Sequence, residues 1–271
     1  MTVHRQAGDN EVCQASDGDE TMTVDPIQQF AITDLVPLGS IGGHHLAFTN
    51  SALYMLIIVV LISALLIGAT ARRAVVPGRL QSVAEMSYEF VAHTVQSSAG
   101  KEGMRFFPFV FTLFMFVLFA NMIGLIPYSF TVTSQLIITA TLALLVFCIV
   151  VVYGFWRNGL RFLKLFVPKG VPIYILPAIV AIEVLSFMSR PISHSVRLFA
   201  NMLAGHITIQ VFAGFIIMLA GWGILGWFGA ALPFVMVVML IALETLVAFL
   251  QAYVFAILTC IYLNDAIHPG H

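Results

Sequence analysis

Long apolar runs alternate with short polar segments along most of this chain. Each run has about 20 residues or more, the length that an α-helix needs to cross the hydrocarbon core of a bilayer. The runs predict five membrane spans, at about residues 50–71, 106–126, 135–156, 174–219 and 230–263. The fold class is therefore an all-α polytopic membrane protein, with residues 26–271 expected to form a single membrane domain.

A segment of mixed composition, at about residues 80–100, separates the first two spans. Glu85 and Glu89 lie one helical turn apart, as on the polar face of a helix at a membrane surface. The apolar residues recur at helical spacing: Val83, Met86, Phe90 and Val91. The segment is predicted to be an interfacial helix.

The last two apolar runs are longer than a perpendicular span requires. A helix over residues 174–219 would be roughly 69 Å long at 1.5 Å per residue, more than twice the hydrocarbon thickness. Pro191 offers a place for a kink, because its ring removes an intrahelical hydrogen bond. The last two helices are therefore predicted to be strongly tilted or bent.

Composition narrows the class further. Of the 271 residues 60% are hydrophobic and 9% charged, where soluble domains have about 25% charged residues. The net charge of -1 gives no basic surplus for nucleic acid. Cys13, Cys148 and Cys260 lie far apart, so neither a metal site nor a disulfide framework is indicated. No cofactor or metal is expected.

Charge is distributed unevenly along the chain. The first fifty residues carry seven acids and one base, Arg5, and residues 1–25 are predicted to be a disordered extension, within which Met22 is a plausible second start. Nine of the twelve Lys and Arg residues lie in residues 72–105 and 157–169. Because basic loops stay in the cytoplasm, five spans then place the N-terminus outside and the C-terminus inside.

Ionisable side chains inside an apolar helix cost roughly 2.5 to 3.5 kcal/mol each and are functional by default. The fourth run carries a set of polar residues within 24 positions: Glu183, Arg190, His194, Arg197, Asn201 and His206. On a helical wheel all but His206 fall within about 60°, and His206 points about 180° from Arg197. This polar stripe is expected to face protein or water.

The fifth run repeats the pattern with Glu244, Gln251 and Tyr262, within about 40° on the wheel. Since the two helices run in opposite directions, His206 and Glu244 belong to the outer half of the membrane, and Glu183 belongs to the inner half. The sequence therefore predicts two polar pockets divided near Arg197.

Two such pockets suit proton movement, because carboxylates and imidazoles exchange protons whereas Arg does not. Arg197 would then be a barrier and a counter-charge. The alternative is structural: a buried Glu183–Arg190 ion pair, or a hydrogen bond between Glu244 and His206, that only fixes helix register. Arg197 has no acid three or four residues away, so its partner must lie on another helix or another chain.

Residues 195–206, SVRLFANMLAGH, resemble the signature of subunit a of F-type ATP synthases. Residues 121–127, NMIGLIP, and 251–255, QAYVF, are similar to two further segments of that family. The resemblance covers roughly residues 26–266. It implies a subunit that lies against a ring of c subunits and supplies two offset half-channels to the ring carboxylates.

The resemblance also implies roles for individual residues. Arg197 matches the essential arginine, with Asn201 beside it and Gln251 facing it from the last helix. Glu183 and Ser193 would line the cytoplasmic outlet, within the polar stripe that also holds His194. His206 and Glu244 match the outer inlet, in a mitochondrial-like arrangement that fits an alphaproteobacterial origin.

The implied partners are the c-subunit ring, b-type peripheral-stalk subunits, the remaining ATP synthase subunits and the lipid bilayer, in a bacterial inner membrane. No GxxxxGK[ST] loop occurs, so ATP chemistry would belong to partner subunits and the chain is not expected to be an enzyme by itself. The coupling ion is expected to be the proton, with sodium left open. Two alternatives are a self-contained proton-coupled secondary transporter, against which the lack of an apparent inverted repeat counts, and a purely structural membrane anchor.

Overall fold

Six α-helices make up most of the chain in the computed structural model, which describes residues 34–41, 44–71, 78–126, 129–167 and 174–267. They are α1 (Asn50–Ala71), α2 (Arg79–Gly103), α3 (Phe107–Gly124), α4 (Leu136–Asn158), α5 (Leu176–Ala220) and α6 (Ile224–Ile267). Within these ranges five helical stretches are long and apolar enough to cross a membrane, with α2 and α3 counted as one continuous stretch. The predicted fold class is confirmed, and the predicted acidic extension, residues 1–25, lies outside the described ranges.

The two longest helices are α5 and α6. With 45 residues, α5 is about 68 Å long, and Pro191 lies inside it. The last helix begins at Ile224, earlier than the predicted position 230, and also contains an internal proline, Pro233. Residues 220–229, between the two predicted spans, are mostly helical, and the turn itself is made at Gly223, whose φ of 77° favours glycine.

A short β-hairpin precedes α1 and was not predicted. Strand β1 (Asp34–Ile41) pairs antiparallel with β2 (His44–Thr49). The strand sequences contain Pro37 and Gly39 and lack a clean alternation of apolar and polar residues, so the period-2 signal is missing. The hairpin leads directly into α1, where the Asn50 side chain accepts a hydrogen bond from the Ser51 backbone N–H at 2.8 Å.

The centre of the packing is a row of small residues on α6. Ala248, Ala252, Ala256 and Cys260 recur every four residues, and each is at most 1% exposed. Small side chains at helical spacing let neighbouring helices approach closely, which is the main source of helix packing in lipid. In the described part of the chain α6 contacts α2, α3, α4 and α5.

The helix that follows α1 packs inside this bundle along one side. Phe90 of α2 has ring centroids of Phe114, Phe249 and Tyr253 at 5.7, 5.7 and 5.4 Å. Val91, Val95 and Ala99 are buried on the same helix, whereas Leu80 and Met86 are exposed. One face of α2 is therefore fixed to α3 and α6, and its predicted position at the membrane interface stays a prediction.

Candidate functional site on the two longest helices

The eight candidate residues lie in two different environments. Three of them are exposed on one side of α5: Ser193, Arg197 and Asn201. Four are buried: His194, His206, Glu244 and Gln251. Glu183 has intermediate exposure. The stripe predicted on α5 is thus split, because His194 turns toward α6 while Arg197 stays on the outer surface of the helix pair.

Arg197 lies on an apolar, exposed surface. Its neighbours Val196 and Ala200 are also exposed, and among the described residues no carboxylate is within ion-pair distance of its guanidinium. An arginine on the lipid-facing side of a central helix is strongly disfavoured. This surface, defined by Ser193, Arg197 and Asn201 and called the Arg197 face below, therefore lacks a counter-charge within the described part of the chain.

A polar cluster ties α5 to the end of α6 and is called the Arg190 cluster below; it consists of Arg190, Asp265, Phe187 and Tyr262. The Arg190 Nη1 atom lies 2.8 Å from Asp265 Oδ2, and the guanidinium lies over the rings of Phe187 and Tyr262 at 5.2 and 5.0 Å. The structural alternative that paired Arg190 with Glu183 is wrong, since the partner is Asp265 on the other helix. Asp265 was not among the residues predicted from the sequence, although it follows Tyr262 by three residues and so lies near it on α6.

His194 is buried between this cluster and Arg197. It is 5% exposed, and its ring centroid lies 3.8 Å from that of Phe255 and 6.2 Å from that of Tyr262. Its Nε2 atom has no hydrogen-bond partner within the described part of the chain. An imidazole in this position can hold or release a proton without breaking a hydrogen bond at Nε2.

A second polar cluster, the Glu244 cluster, forms around Glu244, His206 and Thr131. Glu244 is 7% exposed, and neither carboxylate oxygen has a hydrogen-bond partner among the described residues. The carboxylate lies against Gly205, where any β-carbon would overlap it. The His206 Nε2 atom instead lies 3.2 Å from the Thr131 hydroxyl. The alternative of a direct Glu244–His206 hydrogen bond is therefore wrong.

The segment that contributes Thr131 is a buried turn, residues 129–134, between α3 and α4. All six residues are buried although four are polar. The turn sits beside the Asn121 motif: Asn121 is fully buried, and its Nδ2 atom donates to the Ala248 carbonyl at 3.4 Å. The signal for this turn in the sequence is an uncharged polar stretch shortly after Pro127, which contains no ionisable group to mark it as functional.

The two clusters are well separated along α5. Arg190 and His206 are 16 residues apart, which is about 24 Å of helix. Arg197 lies between them, and on α6 the buried Gln251 occupies the stretch between Glu244 and Tyr262. The arrangement can hold protons at two places and places a fixed positive charge between them. Within the described ranges no group of three or more His, Cys, Asp or Glu residues is suited to a metal ion.

We expect the Arg190–Asp265 pair to be energetically coupled. If the chain moves protons within a larger complex, as the resemblance implies, Arg190→Asp and Asp265→Arg should each reduce proton pumping in membrane vesicles, since each leaves like charges facing one another across α5 and α6. The double exchange should recover part of the rate, and not all of it, because the aspartate at position 190 cannot stack on Phe187 and Tyr262.

The matched control is the exposed pair of Arg157 and Glu102, whose atoms lie 2.6 Å apart at the ends of α4 and α2. Exchanging these two charges should leave pumping near wild type because exposed ion pairs contribute little. The Arg190–Asp265 pair has no specific coupling if the two charge exchanges lose pumping equally. The same conclusion holds if the double variant at positions 190 and 265 pumps no better than the worse of its single variants.

Five apolar helical stretches in the described part of the chain define the class, a multi-pass membrane protein. Its candidate site is an arginine without a carboxylate partner among the described residues, placed between a part-buried and a buried polar cluster. The family model for the ATP synthase A chain matches residues 52–264. The chain belongs to this family.

Several curated relatives are named ATP synthase subunit a, and this chain matches them over their whole length. A protein of Rhodopseudomonas palustris (strain BisB18) named ATP synthase subunit a is 66% identical over 92% of this chain and 100% of its own length. Proteins of the same name from Nitrobacter hamburgensis and Bradyrhizobium diazoefficiens are 65% and 64% identical over the same shares.

Proposed function

We propose that this chain is the proton-translocating subunit of an F-type ATP synthase and couples proton flow to rotation of a c-subunit ring. The proposal is carried by the exposed Arg197, which has no carboxylate partner among the described residues although it lies in the middle of an apolar helix surface. A passing ring carboxylate supplies the missing counter-charge.

The Arg197 face meets the ring in this mechanism. A ring carboxylate is ionised while it faces Arg197 and protonated while it faces lipid, because an unpaired carboxylate in hydrocarbon is costly. The length of α5, about 68 Å, lets one helix follow the flank of the ring in a tilted orientation. Rotation is therefore tied to a change in protonation.

The two clusters act as the ends of two half-channels. The Glu244 cluster receives protons from the outer side, and Glu183, Ser193 and the Arg190 cluster release them to the cytoplasm. Each proton that crosses the full potential supplies about 2.3 kcal/mol per 100 mV. Arg197 prevents direct passage between the two, because a guanidinium does not release its proton.

The complex sits in a bacterial inner membrane, with the chain's N-terminus periplasmic and its C-terminus cytoplasmic, as the distribution of Lys and Arg supports. The ATP chemistry takes place on other subunits of the complex, and b-type peripheral-stalk subunits hold this chain against the ring's rotation.

Cross-linking tests whether the Arg197 face contacts the ring. In a background with the native cysteines replaced, Asn201→Cys should form a disulfide with a cysteine placed beside the ring carboxylate, since both lie at the same depth. The matched control is Leu61→Cys, which is 44% exposed on α1 but lies on a different helix. The readout is a covalent product of the two chains on a denaturing gel.

A product at Leu61 and none at Asn201 would refute the proposed docking face. If in addition the chain alone moved protons in vesicles without any ring subunit, a self-contained transporter would replace the present proposal.

A further inference from the structure

Thr131 occupies an unusual place in the Glu244 cluster. It is fully buried in the turn of residues 129–134, and its Oγ1 atom lies 3.2 Å from His206 Nε2 and 3.5 Å from the backbone carbonyl of Gly124. A hydroxyl is both a donor and an acceptor. The same side chain can therefore satisfy Nε2 in either protonation state of the imidazole.

The two hydrogen-bond patterns follow from the chemistry of the groups. When Nε2 carries no proton, the Thr131 hydroxyl donates to it. When Nε2 carries a proton, N–H donates to Oγ1 and the hydroxyl turns its own proton to the Gly124 carbonyl. Without the hydroxyl, both protonation states would lose this hydrogen bond at Nε2, and the loss of a buried hydrogen bond is costly in a membrane.

The position of Thr131 depends on a glycine of the NMIGLIP motif. A β-carbon on Gly124 would lie 2.7 Å from the Thr131 Cγ2 methyl and 3.2 Å from its Oγ1. The missing side chain at position 124 lets the turn approach α3 closely enough to present the hydroxyl to His206. The motif residue thus acts on the imidazole through Thr131.

We propose that Thr131 is a positioning residue for His206, whose hydroxyl lets the imidazole change protonation state in place during proton uptake. The inference rests on the proposed function of the Glu244 cluster as the outer inlet. The Glu244 carboxylate lies against Gly205, the residue directly before His206, so a fixed ring orientation matters for exchange between the two groups.

The helices and the turn around His206 carry few charged side chains in the described part of the chain. From α6 the facing titratable group is Glu244, and α5 itself contributes Arg197 nine residues away. The buried turn and the Asn121 motif on α3 carry only uncharged residues. On α4 the charged residue is Arg157, which is paired with Glu102 at the far end of the helix.

The test uses the assembled complex in membrane vesicles, with passive proton conduction through its membrane sector measured against outer pH. Thr131→Val keeps the size and removes the hydroxyl. It should lower conduction about tenfold at neutral pH and move the profile about one pH unit toward acid, because the protonated imidazole loses its acceptor. Thr131→Ser keeps the hydroxyl, so its conduction at neutral pH and its pH profile should both be close to wild type.

A matched control lies two residues away in the same turn. Thr133 is 2% exposed, and its hydroxyl has no partner among the described residues. Thr133→Val should therefore leave the pH profile unchanged. A profile shifted equally by both Val substitutions would mean that the turn is only structural and would overturn the proposal.

The glycine supplies a second test that does not remove the hydroxyl. Gly124→Ala should push Thr131 away and shift the profile as Thr131→Val does. Adding Thr131→Ser should rescue it, since serine lacks the Cγ2 methyl that the new β-carbon meets. No shift in Gly124→Ala, or no rescue by serine, contradicts the proposed chain of contacts.

Substitution of His206 separates this inference from the function itself. If His206→Ala conducts protons like wild type, the inlet role of the Glu244 cluster is wrong. If His206→Ala blocks conduction and Thr131→Val has the wild-type rate and pH profile, only the positioning role is wrong.

Discussion

Replacing Arg197 with alanine should abolish ATP-driven proton pumping while passive proton conduction through the membrane sector persists or rises. The guanidinium is the fixed positive charge between the Glu244 and Arg190 clusters, which lie about 24 Å apart along α5. In the proposed mechanism its removal would take away the counter-charge of the ionised ring carboxylate and the barrier between the two half-channels. Pumping should fall to the background of vesicles that lack the complex.

The measurement compares vesicles with wild-type and variant complexes, using a pH-sensitive dye for pumping and a potassium diffusion potential to drive passive flow. Arg157→Ala is the matched control, because Arg157 is an arginine on a neighbouring helix whose partner Glu102 is exposed. It should pump normally. Coupled pumping that survives Arg197→Ala would make the arginine structural and the proposed mechanism wrong.

Glu244→Gln should reduce both pumping and passive proton conduction, whereas Arg197→Ala should reduce pumping alone. The expected decrease is about a hundredfold, the scale of a lost acid–base group. The carboxylate is buried against Gly205 with both oxygens unpartnered in the described structure. The amide has nearly the same shape, so packing is preserved while the exchangeable proton is lost. A proton that enters from the outer side then has no carboxylate to occupy.

Thr245→Val provides the control for this experiment. Thr245 is the next residue on α6 and is exposed, with its hydroxyl bonded to the Ile241 carbonyl of its own helix. Its loss should leave both fluxes unchanged. If Glu244→Gln conducted passively at the wild-type rate, protons would enter by another route, and the Glu244 cluster would be a structural feature of the α5–α6 contact.

The contrast between the two variants is the strongest joint test. Loss of a barrier separates pumping from conduction, whereas loss of an inlet reduces both. Neither pattern follows from simple misfolding, provided that the amount of assembled complex is the same in each vesicle preparation.

The linear sequence was enough for the fold class and for the family, and it singled out the candidate residues that stay predictions. Membrane spans can be predicted from a sequence because an α-helix makes all of its backbone hydrogen bonds within itself. Only the length and the apolarity of the segment are then needed. Arg197, His206 and Glu244 stand out for the same reason: an ionisable group in an apolar run has a high cost wherever it points.

The partners of these groups required the tertiary structure. Helical periodicity placed Glu183 and Arg190 on one stripe, but Arg190 pairs with Asp265, which is 75 residues later. It also grouped His194 with Arg197, whereas contact with Phe255 turns His194 inward. A helical wheel describes one straight helix, and it does not show which neighbouring helix packs against each side.

Thr131 shows the limit most clearly. A threonine in an uncharged turn has no signal in a search for charges, and its importance comes from a hydroxyl that lies 3.2 Å from an imidazole 75 positions away. That contact exists because Gly124 leaves space for it. The sequence by itself determined which residues carry charge into the membrane, since that depends on composition alone, and the tertiary structure decided which hydrogen-bond partners they meet, since that depends on how α3, α5 and α6 pack.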